Sequence, residues 1–129
     1  MHIILNHSSM VPIYEQLMEQ IKSDIINSSL KEGEALPSVR SLAGELRISA
    51  LTVKKAYDKL EGEGFVTTIH GKGTFVLAVN QETLLEEARK EIESYLEKAL
   101  QKGKQAGVSY EEIKEILTVL MLSLIHISE

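Results

Sequence analysis

Residues 36–76 read LPSVRSLAGELRISALTVKKAYDKLEGEGFVTTIHGKGTFV, and the reading of this stretch decides the fold. After Pro37, Ser38 is placed to cap a helix. Val39, Leu42, Ala43 and Leu46 then recur at helical spacing, so residues 39–46 read as a short helix with one buried face. Arg40 lies off that face. A break at Arg47-Ile48 leads to Ser49, a second cap, and to a helix from about Ala50 to Glu63. Its apolar positions Val53, Ala56, Tyr57 and Leu60 follow i, i+3, i+4, i+7, which makes Tyr57 a core residue and spreads Ala50, Leu51, Thr52, Lys54, Lys55 and Asp58 over the remaining surface. Gly62 and Gly64 end the helix. Phe65-Val66-Thr67-Thr68-Ile69 is aromatic and β-branched, as a strand should be. His70-Gly71-Lys72-Gly73 supplies two residues able to take positive φ, and Thr74-Phe75-Val76-Leu77 returns as a second strand.

Two short helices joined by a tight turn and followed by a two-stranded ribbon make a winged helix-turn-helix. In that arrangement the first turn of the second helix meets base edges, while the ribbon tip reaches a neighbouring groove or phosphates. The DNA-facing candidates are therefore Arg40 from the first helix, Arg47 and Ser49 from the turn, Ala50, Leu51, Thr52, Lys54 and Lys55 from the second helix, and His70, Gly71 and Lys72 from the tip. Arginine and lysine neutralise phosphate charge, hydroxyls reach phosphates or bases, and a glycine backbone can approach DNA closely.

Along its full length the stretch resembles the DNA-binding domain of GntR-family bacterial transcription regulators, and Pro12-Ile13-Tyr14-Glu15-Gln16-Leu17 fits the same family. The resemblance implies a sequence-specific transcription regulator, a repressor, bound as a homodimer to a pseudo-palindromic operator. Two positions depart from the family pattern. Arg47 stands at a turn position where many relatives carry glycine, and a non-glycine residue resists positive φ there. Ala50 stands where relatives carry arginine, which removes a bidentate guanine reader and leaves only an apolar contact such as a thymine methyl. Arg47 compensates from the turn, toward phosphate. Leu51 is either a methyl-reading contact or a residue packed against the wing.

The flanking segments supply support. After Pro12, Ile13, Leu17, Ile21 and Ile25 repeat every four residues, so residues 12–28 form an amphipathic helix packed on the motif. Ser28-Ser29 and Lys31-Glu32-Gly33-Glu34 read as the following loop, and His2-Ile3-Ile4-Leu5 as a short strand or an arm packed on something. Beyond Leu77, Leu84, Ala88, Ile92, Tyr95 or Leu96, and Ala99 keep helical spacing from about Gln81 to Lys102, with Gly103 and Gly107 as breaks. Ser109-Tyr110-Glu111-Glu112 has capping-box form and starts a last helix. Its Ile113, Ile116, Leu117, Leu120, Met121 and Leu124 are too many apolar groups for a lone exposed helix.

Two helices with one apolar stripe each make no core alone, so the pair is expected to associate with the same pair from a second chain. The dimerisation candidates are Leu84, Ala88, Ile92, Leu96, Ile113, Ile116, Leu117 and Leu120. In size and pattern this appendage resembles the YtrA subfamily of the same regulators, in which a short C-terminal segment serves dimerisation. Residues 122–129, LSLIHISE, look like sequencing-adaptor sequence translated in frame, so the dimer argument rests on Ile113, Ile116, Leu117 and Leu120. The expected architecture is thus α+β and mainly helical, with a winged helix-turn-helix DNA-binding domain over residues 1–79 and a helical dimerisation segment over residues 80–129.

Composition bounds the rest. At 129 residues there is room for one modest domain and an appendage, too little for a large ligand-binding domain as well. No apolar run approaches a membrane span and no signal segment opens the chain. The absence of cysteine removes disulfides and thiolate chemistry, and fits the cytoplasm. His2, His7, His70 and His126 lack metal-ligand spacing, and no motif calls for a cofactor. The net charge of −5 looks wrong for a DNA binder, but residues 40–72 carry six basic side chains against four acidic ones, a positive face on an acidic body. The rival reading is a winged helix used for protein contact, its basic surface meeting an acidic partner. An enzyme is disfavoured, because no nucleophile-base pattern occurs and Gly71-Lys72-Gly73 sits in a strand turn rather than ahead of a helix.

Overall fold

The chain forms helix α1 (Ile13–Ile26), α2 (Val39–Leu46), α3 (Ala50–Gly62), strands β1 (Val66–Ile69) and β2 (Gly73–Val76), α4 (Gln81–Ala106) and α5 (Tyr110–Ser128). The computed structural model describes residues 1–128; residue 129 and the side chains of residues 126–129, His126 included, lie outside the described residues. Two compact units divide between Leu84 and Leu85.

In the first unit α3 is the central element, packing against α1, α2 and β1. Val53, Ala56, Tyr57 and Leu60 point inward, where they meet Leu17, Met18, Ile21 and Ile25 of α1 and Leu42 and Ala43 of α2. Phe65, Val66 and Val76 close the core from the hairpin side. Burying a side chain of this size contributes about 1.5–3 kcal/mol relative to leaving it in water, and that outweighs the modest propensity of an eight-residue helix such as α2.

The element ends carry the reasons for the boundaries. Pro12 is the N-cap of α1 rather than its first helical residue, and the helix stops at Ile26 because Ser28 takes the left-handed region at φ 67°. Phe65 is not part of β1. It follows Gly64, whose φ of 84° turns the chain out of α3, and its N–H donates to the Leu60 carbonyl at 3.0 Å. This is the closing turn of a helix in which the two flanking apolar residues, Leu60 and Phe65, are both fully buried.

β1 and β2 pair antiparallel with Val66 opposite Val76 and Ile69 opposite Gly73. The segment expected as a plain loop after α1 does more than connect. Gly33 and Leu36 donate to Val76 and Thr74 at 2.8 Å, and Ala35 bridges to Phe75, so β2 is covered on both edges. The first residues form an arm along α1, clasped by two glutamines one helical turn apart. The Gln20 amide accepts from the Ile4 N–H at 2.8 Å and donates to the Ile4 carbonyl at 2.6 Å; Gln16 does the same with Asn6 at 2.8 and 3.0 Å. Each amide thus satisfies a donor and an acceptor that a neighbouring strand would otherwise satisfy.

In the second unit, α4 runs through Gly103, which was expected to break it, and ends at Ala106. The missing side chain serves packing instead. A Cβ on Gly103 would lie 2.5 Å from Ile113 Cδ1 and 3.1 Å from the Val108 carbonyl oxygen, so glycine is what lets α5 come close. Gly107, at φ 81°, makes the actual end, with the Val108 N–H donating to the Gly103 carbonyl at 2.8 Å. Ser109 Oγ accepts from the Glu112 N–H at 3.1 Å and caps α5 as expected.

Lys22 is the unexpected core residue, only 3 % exposed on the buried side of α1. Its ammonium meets Glu63 at 3.0 Å and Glu19 at 3.5 Å and lies 5.5 Å from the centre of the Phe65 ring. Glu63 is the C-cap of α3, so this ion pair ties the first helix to the end of the third. Its aliphatic stem fills core volume as well. Lys22→Ala, which leaves both a gap and a half-shielded carboxylate, is expected to cost about 2–3 kcal/mol, whereas Lys22→Met, which keeps the volume, is expected to cost about 1 kcal/mol or less. Urea unfolding midpoints of the two variants check this; equal losses would assign the whole effect to the charge.

Candidate nucleic-acid interface

The helix-turn-helix is built from two capped helices and a left-handed joint. Ser38 Oγ accepts from the Ser41 N–H at 3.0 Å and starts α2; Ser49 Oγ accepts from the Thr52 N–H at 3.1 Å and starts α3. Between them Arg47 sits at φ 56°, ψ 47°, and the Ile48 N–H reaches back to the Ala43 carbonyl at 3.0 Å. The turn therefore has the ordinary αL closing geometry even though arginine occupies it. The backbone bond, together with the partial burial of Leu46 and Ile48 on the core, holds the residue where its Cβ is unfavourable.

Tyr57 fixes the relation of the two helices. Its hydroxyl donates to the Pro37 carbonyl at 2.7 Å, just ahead of the α2 cap, and burial raises the phenol well above its ordinary pKa, so it remains a donor. Tyr57 is core, as its position in the helical repeat predicts.

Ahead of the exposed Glu61 and Gly62 at its end, α3 leaves in solvent a continuous stripe: Ala50, Leu51, Lys54, Lys55, Asp58 and Lys59. Leu51 is 78 % exposed, which removes the alternative that it packs against the wing. Lys54 Nζ pairs with Asp58 Oδ2 at 2.8 Å, one turn along the helix. Lys55 Nζ stands 4.0 Å from the centre of the Tyr14 ring, a cation–π contact that orients it toward the start of α1, with Lys59 5.6 Å from the same ring. Thr52 is only half-exposed, and its hydroxyl lies 2.7 Å from Ser49 Oγ. The hydroxyls of Ser49 and Thr52 are thus engaged in the cap. Arg40 and Arg47 are exposed on the α2 side.

The wing tip is a turn closed by the Lys72 N–H on the Ile69 carbonyl at 2.9 Å, with Gly71 at φ 77° and Gly73 at φ 128°. Both glycines occupy backbone regions costly for a residue with a Cβ. His70, Gly71 and Lys72 are all exposed. Glu61, a residue that sequence reasoning passed over, sets the angle of the wing. Its carboxylate accepts from the Thr68 N–H at 2.7 Å, tying β1 to the last turn of α3, while Thr68 and Thr74 hydroxyls meet across the strands at 3.1 Å. The Lys54–Asp58 pair was legible as an i, i+4 spacing; the Glu61 and Tyr14 contacts join elements and carry no local signal.

A capped helix-turn-helix whose second helix bears an exposed basic stripe, followed by a two-stranded wing, defines a winged-helix DNA-binding regulator. Residues 13–76 match the family described as bacterial regulatory proteins, gntR family. Among curated relatives, the HTH-type transcriptional repressor YtrA of Bacillus subtilis is 36 % identical over 113 residues, covering 88 % of this chain and 87 % of its own length. Among solved structures, the GntR-family transcription factor YtrA of Sulfolobus acidocaldarius is 34 % identical, with a TM-score of 0.58 over 71 % of this chain and 97 % of that one. The DNA-binding domain of AraR in complex with operator ORX1 is 27 % identical, with a TM-score of 0.53 over 58 % of this chain and 94 % of that one. The chain belongs to the GntR family and is a transcription regulator of the YtrA type, not an enzyme.

The joint at Arg47 generates a stability prediction. A non-glycine residue in the αL region costs about 1–2 kcal/mol, part of which glycine returns through its greater freedom in the unfolded chain. Arg47→Gly is therefore expected to stabilise the protein by about 0.5–1 kcal/mol, raising the melting temperature by about 2–5 °C. Thermal melts check this; an unchanged or lowered melting temperature would mean that the arginine side chain makes a compensating interaction.

Proposed function

We propose that the protein is a homodimeric repressor, acting in the cytoplasm on a pseudo-palindromic operator. The first turn of α3 from each copy enters a major groove, and the His70-Gly71-Lys72 wing lies alongside. In this reading Arg40, Arg47, Lys54, Lys55 and Lys72 neutralise phosphates, Ser49, Thr52 and His70 lie close to the backbone or base edges, and Ala50 and Leu51 face the bases. The acidic body keeps non-specific binding weak, because only the reader face carries a positive excess.

The observation that carries the dimer is the state of the second unit. Among the described residues it buries no apolar side chain: Leu85, Ile92, Tyr95, Leu96 and Leu100 of α4 are exposed, and so are Ile116, Leu117, Val119, Leu120 and Met121 of α5. From Ile116 to Met121, ahead of the adaptor-like residues, only Thr118 interrupts the apolar run, so α5 offers apolar groups beyond a single stripe. A helical pair with so much apolar surface and no core of its own is completed by a second copy. Leu84, Ala88, Ile92, Leu96, Ile116, Leu117 and Leu120 supply that surface. Ile113 contributes by seating α5 on Gly103.

Sedimentation of the full chain at tens of micromolar is expected to give a dimer. The pair Ile116→Asp and Leu120→Asp is expected to give a folded monomer with operator affinity reduced at least ~100-fold, since the half-sites are no longer bound as one unit. A parent chain that sediments as a monomer would defeat the dimer.

For the reader, Arg40→Ala and Lys54→Ala are each expected to weaken operator binding without altering the melt, and to lower the slope of log K against log salt by about 0.9 for each phosphate no longer neutralised. Unchanged affinity and slope in both variants would remove this face from the DNA.

A further inference from the structure

We infer that Leu51, with Ala50 beside it, reads the 5-methyl groups of thymines in each half-site of the operator. This rests on the DNA-binding reading above and adds to it the base and the atom recognised. Leu51 is the second residue of α3, 78 % exposed, and shares its face with Lys54, Lys55 and Asp58 at i+3, i+4 and i+7. A leucine at the N-terminal end of the charged stripe, left 78 % exposed among the described residues, presents branched apolar surface at the turn that the DNA-binding reading places in the groove.

The polar groups around it have other partners. Ser49 Oγ accepts the Thr52 N–H and lies 2.7 Å from Thr52 Oγ1, so the cap holds both hydroxyls in place and leaves the pair one O–H to offer, too little for a paired contact with a base edge. No arginine, lysine, asparagine or glutamine occurs between Ile48 and Val53, which leaves the first turn without a side chain able to make a paired hydrogen bond to guanine or adenine. Lys54, beside Asp58, and Lys55, over the Tyr14 ring, stand one turn further along and are the groups assigned above to phosphates.

Of the groups that distinguish base pairs in the major groove, the thymine C5-methyl is the apolar one that offers substantial surface. A leucine placed over it buries apolar surface on both sides. The same leucine over a G·C pair strips water from guanine O6 and N7 and from cytosine N4 and returns no hydrogen bond. Selection is therefore two-sided: thymine gains from contact, and G·C is penalised by unpaired polar edges.

The test uses the full-length chain and operators enriched from a pool of random duplexes. Each thymine of an enriched operator is replaced singly by deoxyuridine, which deletes the methyl and preserves the base pair. At one or two positions in each half-site the parent is expected to lose affinity about four-fold per methyl. Leu51→Ala, whose melt is expected to match the parent because the side chain is exposed, should be insensitive to uracil at those same positions. Enriched operators with no methyl-sensitive thymine, or a Leu51→Ala variant that keeps the parent's sensitivity, would overturn the inference while leaving the DNA-binding reading intact. A pool in which no sequence is enriched would overturn both.

Discussion

One helix has to serve two environments, and the rest of the first unit follows from that constraint. α3 gives Val53, Ala56, Tyr57 and Leu60 to the core, and every element around it packs on that side: α1 through Leu17 and Ile21, α2 through Leu42, and the hairpin through Phe65 and Val66. The remainder of its circumference must stay in water. Because an α-helix repeats every 3.6 residues, committing those four positions to the core commits Ala50, Leu51, Lys54, Lys55 and Asp58 to the opposite side. The same packing that stabilises the domain therefore aims the reader.

Polar contacts then set the angles that apolar packing leaves loose. Tyr57 holds the entrance of α2, Glu61 holds β1, and Lys22 holds the cap of α3 through Glu63. All three bonds involve α3 and reach a different neighbour. Their geometric role is larger than their energetic one, since a hydrogen bond contributes only about 0.5–1.5 kcal/mol net, while each of these fixes the position of a whole neighbouring element. The second unit follows a different rule. It has a tight internal joint at Gly103 and Ile113 but, among the described residues, buries no apolar side chain, and that exposed surface is what the proposed dimer would cover.

Much of this was legible in residues 36–76. The caps at Ser38 and Ser49, the bounds of α2, the inward repeat of α3 including Tyr57, and the glycine tip all depend on neighbours within a few residues, and all are present in the structure. Boundaries shifted where a residue had a better use elsewhere. Phe65 has strand propensity but closes α3 against Leu60, and Gly103 looks like a breaker but lies where α5 crosses α4. Lys22 reads as a surface lysine on an amphipathic helix. Only the arrival of Glu63 and Phe65, distant in the chain, makes its burial tolerable.

The amino-acid sequence by itself determined the order and kind of the elements and which face of α3 stays in solvent, because those properties come from periodicity and from hydrogen bonds within a few residues. The tertiary structure alone decided how each side chain is occupied. It settled that Leu51 stands free of the wing, that Lys54 and Lys55 rest on Asp58 and Tyr14, that the N-terminal arm is clasped by Gln16 and Gln20, and that Glu61 holds the hairpin. Apart from the i, i+4 pair of Lys54 and Asp58, these outcomes depend on where residues distant in sequence come to lie in space, and the packing of whole elements fixes that.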